Sequence, residues 1–199
     1  MAQPSARDRI LDTAKRLVYR DGLRATGIDR IVAESGVAKM SLYRHFPSKD
    51  DLIGTFLGWR HEHWMAWFTA AVEARLAEGA GLAAVADALE EWFGQDDFRG
   101  CAFINAVAET GATDDPRHRE LAVAHKRELE RYLGEVAARL HLVAPDQVAQ
   151  EAMLCVEGMI VRAQMGADPG IVAAGRRLLA RIAHDAALQH AGGSADRKL

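Results

Sequence analysis

Apolar residues recur along this chain at three- and four-residue steps almost from end to end, with no sustained every-other-residue alternation. That period belongs to α-helices, and the breaks in it are of the kind that end one helix and start another. Ser5 with Asp8 reads as a capping-box pair opening a first helix that runs to about Asp21, and Thr26–Asp29 and Ser48–Asp51 repeat the pattern for the second and fourth. Ile28, Ile31 and Val32 give the second helix its apolar stripe, and Val37, Leu42 and Phe46 do so for the third. Gly36 lies between these two helices, where a left-handed residue lets the chain reverse within a few positions. Pro47 forbids continuation. The fourth helix extends to about Glu78, before Gly79 and Gly81, and the fifth carries Leu82, Val85, Ala86, Leu89, Trp92 and Phe93 and stops at Gly94. A sixth runs from Cys101 to about Thr110. Asp115–Pro116 starts a seventh, with the stripe Leu121, His125, Leu129, Tyr132, Val136 and Leu140. Pro145 starts an eighth helix ending at Gly166, and Asp168–Pro169 a ninth bearing Ile171, Val172, Leu178, Leu179 and Ile182. The expectation is an all-α fold.

Once its apolar side is turned inward, the third helix presents Lys39, Met40, Ser41, Tyr43, Arg44 and His45 outward. That face is cationic and rich in hydrogen-bond donors, as a helix lying in a DNA major groove requires. The second and third helices thus read as a helix-turn-helix. Charge adds direction to this reading. The whole chain carries only −3, which argues against general nucleic-acid adhesion, but residues 1–53 hold 10 Lys+Arg against 7 Asp+Glu. Residues 54–199 hold 15 against 21, so the N-terminal end is the one that can approach phosphates.

The run Tyr19-Arg20-Asp21-Gly22, then Thr26, Gly36-Val37 and Leu42-Tyr43-Arg44-His45-Phe46-Pro47-Ser48-Lys49 resembles the TetR family of bacterial one-component repressors over roughly residues 5–53. Val32 stands where Ala is common in that pattern, Ala38 where Ser or Thr caps the reading helix, and Met40 where Gly is common. A missing cap costs about 1 kcal/mol locally, and Met40 sets a bulky apolar side chain where bases would be read. The resemblance implies a homodimeric, ligand-responsive transcription factor, with repression of a palindromic operator on double-stranded DNA as its expected action. It implies a three-helix DNA-binding domain in residues 1–50, joined by a long fourth helix to a helical ligand-binding and dimerisation domain in residues 51–191, with a polar tail at 192–199. On the family pattern Thr26, Tyr43, His45 and Lys49 hold phosphates, while Lys39, Met40, Ser41 and Arg44 face the bases. Helices eight and nine are expected to pair with their two-fold mates, Gly158, Ala163, Ala174 and Gly175 allowing close approach and Met159, Ile160, Leu178 and Ile182 supplying apolar area. The fourth helix, about 40 Å long if unbroken, acts as a lever, and Gly58 near its middle either permits a bend or makes room for a neighbour.

Aromatic residues crowd the middle of the chain: Phe56, Trp59, Trp64, Trp67, Phe68, Trp92, Phe93, Phe98 and Phe103. Core packing accounts for any one of them. Since TetR-like proteins generally take small molecules between these helices, Trp64, Trp67, Phe68, Trp92 and Phe103 are also candidate walls of an effector cavity, with Asn105, His125 and Glu157 as its polar contacts. An apolar or aromatic effector follows from such walls. The segment Arg99–Glu109, RGCAFINAVAE, resembles one found at this place in part of the family. Within it Cys101 falls at a helix N-terminus beside Arg99, where dipole and cation both favour thiolate, so a redox role stands beside the plainer one of a small packed residue. Cys155, mid-helix among Met153, Leu154 and Val156, reads as structural.

Enzyme chemistry finds no foothold. The sequence offers no glycine-rich phosphate loop and no nucleophile in a recognisable setting, so neither an enzyme nor a cofactor is expected. His61 and His63 point roughly 200° apart around a helix and cannot share a metal, and two cysteines make neither a zinc site nor a disulfide framework. The charges of helix seven alternate in sign as on a solvated, ion-paired face. No apolar stretch reaches the eighteen or so residues of a membrane span, and the N-terminus lacks a signal-peptide pattern, so a soluble cytoplasmic protein is expected. The alternative is a helical small-molecule or redox sensor, or an interaction protein, whose DNA-binding half is vestigial; Lys39, Tyr43 and Lys49 argue against it.

Overall fold

The computed structural model describes residues 4–111, 116–166 and 170–193, and its regular elements among them are all helical. In chain order these are α1 (Ala6–Asp21), α2 (Ile28–Ser35), α3 (Lys39–His45), α4 (Lys49–Ala77), a 3-10 turn (Gly81–Ala83), α5 (Ala84–Phe93), α6 (Ala102–Glu109), α7 (Pro116–Arg139), α8 (Pro145–Gln164) and α9 (Ile171–Gly193). The all-α expectation holds. Asp115, Asp168 and Pro169, expected to start α7 and α9, lie outside the described residues, as do residues 194–199 of the expected tail; Gly192 and Gly193 belong to α9.

Side-chain chemistry marks the helix ends where the sequence suggested it, with one exception. Ser5 Oγ accepts the Asp8 N–H at 3.2 Å while the Asp8 carboxylate accepts the Ser5 N–H at 3.3 Å, a complete capping box. Ser48 Oγ accepts the Asp51 N–H at 3.0 Å at the start of α4. Gly36 takes the left-handed conformation, φ 64° and ψ 29°, that closes α2 and turns the chain into α3. The exception is Thr26. The N-cap of α2 is Gly27, with no side-chain hydrogen bond, and Thr26 is wholly buried. A Thr-x-x-Asp spacing fits a capping box only if the Thr side chain lies along the helix end, and here it is turned inward.

The chain forms two compact units, Met1–His63 with Cys101–His125, and Trp64–Gly100 with Lys126–Leu199. The boundaries fall inside α4, between α5 and α6, and inside α7. In the first unit α1 packs on α2 and α3, and Ile10, Leu17, Ile31, Leu42, Phe46, Leu52 and Phe56 are buried. In the second, α9 packs on α8, α5 and the 3-10 turn, and Phe68, Leu89, Trp92, Leu129, Leu133, Val156, Met159, Ile160 and Leu179 are buried. Arg176 on α9 pairs with Asp87 and Glu90 on α5. A Cβ at Gly175 would fall on the thioether of Met159, so the glycine makes room for that side chain between α8 and α9. At Gly58 the helix α4 runs on without a break and a Cβ would meet open space, so no close neighbour calls for the glycine.

Candidate nucleic-acid interface

Leu42 and Phe46, 0% and 2% exposed, fasten α3 to its unit by one side and leave the other to solvent. Arg7 lies over the Phe46 ring at 5.3 Å from its centre and closes the end of the helix. On the outer side Met40 is 75% exposed and Tyr43 40%, Arg44 and His45 are exposed, and Ser41 and Lys49 are half-buried. Ala38 caps α3 without a side-chain hydrogen bond, as its methyl group dictates. Lys39 Nζ, at the start of the helix, is hydrogen-bonded to Asp29 Oδ1 at 2.7 Å, which lifts the lysine above its ordinary pKa. Thr26 departs from the expected set. Its hydroxyl is buried with no hydrogen-bond partner, so it cannot touch a phosphate from this position.

Ion pairs knit α1 to α2 behind this face. Arg16 and Arg30 both bond Glu34, at 2.8 and 3.0 Å, and Arg30 reaches Asp21 at 2.9 Å. Arg20 bonds Asp21 as well, and this hydrogen bond is the main reason the Asp21 carboxyl is held down to about 2. Two cation–π contacts tie α1 to α4: Lys15 sits 3.8 Å from the centre of the Trp59 ring and Arg60 4.1 Å from that of Tyr19.

The same unit holds α6 against the corner between α1 and α2. Glu109, the last residue of α6, accepts the Arg24 N–H on Oε2 at 2.7 Å, and its carbonyl accepts Arg24 Nε at 2.7 Å. Gly22 has φ 95°, and a Cβ there would lie 2.7 Å from the Glu109 carboxylate. At the start of α7, Arg117 pairs with Asp51 at 3.0 Å and buried His118 bonds the Asp50 carbonyl at 3.3 Å. Of the residues expected to contact an effector, Phe103 and His125 meet here, their rings stacked at 3.9 Å, and Asn105 is half-buried on α6. His125 Nδ1 lies 3.1 Å from His61 Nδ1, a partnership across 64 residues that no local pattern announces. Cys101 is the N-cap of α6, as expected, and is only 4% exposed.

Trp64, Trp67, Phe68 and Trp92 come together in the second unit. Trp64 stacks on Phe68 at 4.7 Å and meets Trp92 edge-on at 5.3 Å, and Trp92 meets Phe98 at 5.0 Å. Trp64, Phe68 and Trp92 are buried in this block while Trp67 lies half-exposed at its margin. Glu157 is paired with Lys126 at 2.7 Å. A groove of about 870 Å³ runs beside Met65, Ala66, Thr69, Glu73, Tyr132 and Arg139. There the Tyr132 hydroxyl donates to Glu73 at 2.9 Å, and burial, with that bond, pushes the phenol well above its ordinary pKa.

Of the expected pairing residues on α8 and α9, Gly158, Ala174 and Leu178 are exposed and Ala163 and Ile182 half-buried. Met159 and Ile160, 2% and 1% exposed, and Gly175 belong instead to the chain's own core. The exposed apolar surface lies one step round α8, at Leu154 (76%), Val161 (39%) and Met165 (77%), and continues on α9 at Leu178 and Leu188. With Gly158 these α8 positions, the last of them the C-cap of the helix, follow a helical spacing of four, three and four. That signal is in the sequence, but α8 carries an equally apolar stripe on its inner side.

Residues 10–55 match the family described as bacterial regulatory proteins, tetR family. Over 128 residues the chain is 30% identical to the HTH-type transcriptional regulator LmrA of Bacillus subtilis (strain 168), across 63% of this chain and 68% of that protein. A shorter match, 50% identical over 48 residues, joins it to the HTH-type transcriptional regulator YxaF of the same strain and spans 24% of this chain and 25% of YxaF. The crystal structure of SCO4454, a TetR-family transcriptional regulator from Streptomyces coelicolor, covers 91% of this chain and 95% of its own with TM-score 0.76 and 30% identity. No described helix is long and apolar enough to cross a membrane. The exposed outer face of α3, the helical architecture and these likenesses agree: the chain belongs to the TetR family, and is a helix-turn-helix, DNA-binding transcriptional regulator rather than an enzyme.

Proposed function

We propose that this regulator is a homodimeric repressor that binds a palindromic operator and is released from it by a small, largely apolar or aromatic effector. The observation that carries the reading is the outer face of α3, anchored by buried Leu42 and Phe46 and exposed where DNA would lie. Residues 1–50 read DNA, Lys39, Met40, Ser41 and Arg44 at the bases and Tyr43, His45 and Lys49 on phosphates. Residues 51–191 take the effector and pair the subunits. Pairing uses α8 and α9 through Leu154, Gly158, Val161, Met165, Ala174, Leu178 and Leu188, which sets two reading heads at the spacing of two major-groove half-sites. Trp64, Trp67, Phe68, Trp92 and Glu157, all in the second unit, are the proposed effector contacts. As a regulator of transcription the protein works in the cytoplasm, where its operator is.

The switch follows from linkage. An effector shifts the equilibrium only by binding the DNA-incompetent state better than the competent one, and operator DNA must then weaken effector binding by the same factor. α4 and α7 contribute residues to both units and are the route by which an effector's rearrangement would have to reach the reading head. Glu109, at the end of α6, delivers it to the corner below α1.

The test is binding to duplex DNA flanking the protein's own gene, followed by fluorescence anisotropy through a salt series. The wild type should bind a palindromic segment in that DNA. Lys49→Ala should weaken binding to all duplexes alike and flatten the slope of log K against log[salt] by about 0.9 for each head, one phosphate contact. Unchanged affinity and slope in Lys49→Ala would remove that residue from the interface. Failure of the wild type to bind any duplex would leave the vestigial reading standing.

A further inference from the structure

Lys39 and Asp29 place one of the chain's own carboxylates where a DNA anion is expected. Lys39 is the first residue of α3, and its Nζ lies 2.7 Å from Asp29 Oδ1 in the first turn of α2. Burial does not impose the pair, because the two side chains are 55% and 84% exposed. The capping box that would have used Asp29 is not made: Gly27 caps α2, and the Thr26 hydroxyl is turned inward without a partner. The Asp29 carboxylate reaches across to the reading helix instead, held at the positive end of α2. Among the described ion pairs of this unit, the others join α1 to α2 or α7 to α4, or lie within one helix; this one takes a residue from the outer face of α3.

We propose that Asp29 is a built-in competitor of DNA phosphate, holding the Lys39 ammonium away from non-operator DNA and so raising the selectivity of the reading head. The inference rests on the assignment of α3 to DNA reading. A carboxylate and a phosphate oxygen offer a surface ammonium similar charge at similar distance, so exchanging one for the other gains little. Non-operator DNA, bound through its phosphates with no fixed register to set a base-edge acceptor pair under Lys39, gains almost nothing from it. An operator that sets paired acceptors at a base edge, such as guanine O6 and N7, offers a closer and drier site for which the exchange is favourable. Lys39 then adds to affinity only where the sequence is right. The intramolecular partner is always present, whereas a free anion would have to be bound from solution.

The experiment uses the full-length protein, the isosteric Asp29→Asn, Lys39→Ala and the double variant. Its first probe is a labelled random-sequence duplex two helical turns long, titrated through a salt series. Asp29→Asn should tighten binding about three- to tenfold at low salt and steepen the salt slope by about 0.9 for each head. In the Lys39→Ala background the same substitution should do nothing, because the residue it liberates is gone. In a selection from a random duplex pool, Asp29→Asn should return a weaker consensus than the wild type at the bases under α3. Equal tightening by Asp29→Asn with and without Lys39 would overturn the proposal in favour of a general loss of negative charge. Unchanged or weaker binding by Asp29→Asn, or an equally sharp consensus, would overturn it too. A wild type that binds no duplex at any salt is a different result, which removes the DNA-reading assignment itself. Thermal melts of the four proteins should coincide within a few degrees, since the pair is on the surface.

Discussion

Ile160→Glu is expected to abolish folding, whereas Leu154→Glu combined with Met165→Glu should leave the protein folded and make it monomeric. Ile160 is 1% exposed and packed in the α8–α9 core, so the substitution forfeits about 2 to 3 kcal/mol of apolar burial. It also leaves a carboxylate without a partner in an apolar interior, a further penalty of several kcal/mol. Against a total stability on the order of 5 to 15 kcal/mol, that is enough to empty the native state. Leu154 and Met165 are 76% and 77% exposed in the single chain, so charging them takes little from its stability. In a dimer packed through this face the four new carboxylates would face one another in a desolvated seam. Circular dichroism melts with sedimentation velocity separate the two results, and operator affinity should collapse with the dimer because one head makes half the phosphate contacts. An intact dimer in the double variant would move the interface off this face, and a well-folded Ile160→Glu would mean that α8 is turned the other way.

The contrast between Ile160 and Leu154 shows where sequence reasoning stops. Helix period identifies α8 beyond doubt, but α8 is apolar on two sides: Val148, Ala152, Val156, Met159 and Ile160 on one, Leu154, Val161 and Met165 on another. A stripe says that a side is covered, not whether the cover is the same chain or a second copy. Helix ends were readable where a side chain must do a local job, as at Ser5–Asp8, Ser48–Asp51 and Gly36. Thr26 carries the same spacing as the first two and does not cap, because whether a side chain lies along a helix end or turns into the core is decided by neighbours distant in sequence. The face of α3 was readable for the opposite reason: Leu42 and Phe46 fix the helix, and what remains must point outward. Pairings such as Glu109 with Arg24, 85 residues apart, or His61 with His125 leave no trace in local periodicity. The aromatic residues gave a density but no partition. The structure divides them between the Trp64–Phe68–Trp92 block and the Phe103–His125 stack.

Gly22→Ala should lower stability by about 2 to 3 kcal/mol, of which about 1 kcal/mol should vanish when Glu109 is also removed. Two effects act at this residue. Its φ of 95° lies in the region that L side chains avoid, which costs about 1 to 2 kcal/mol for any residue with a Cβ. In addition a Cβ would come within 2.7 Å of the Glu109 carboxylate, which is not free to swing aside because it accepts the Arg24 N–H at 2.7 Å. Relieving the overlap therefore breaks that bond, worth about 1 kcal/mol and more for a charged acceptor. In a Glu109→Ala background the acceptor is already lost and the space is open, so Gly22→Ala should carry only the backbone part. Urea melts of the four proteins give the cycle, and a coupling of about 1 kcal/mol between sites 87 residues apart in sequence would establish the close approach. Equal effects of Gly22→Ala in both backgrounds would mean that Glu109 does not press on this corner. If α6 also carries the effector signal, Glu109→Ala should leave operator binding near its wild-type level and reduce the factor by which effector weakens it, since the helix would then move without moving α1. Loss of operator binding in a folded Glu109→Ala dimer would instead make the residue a fixed support of the reading head.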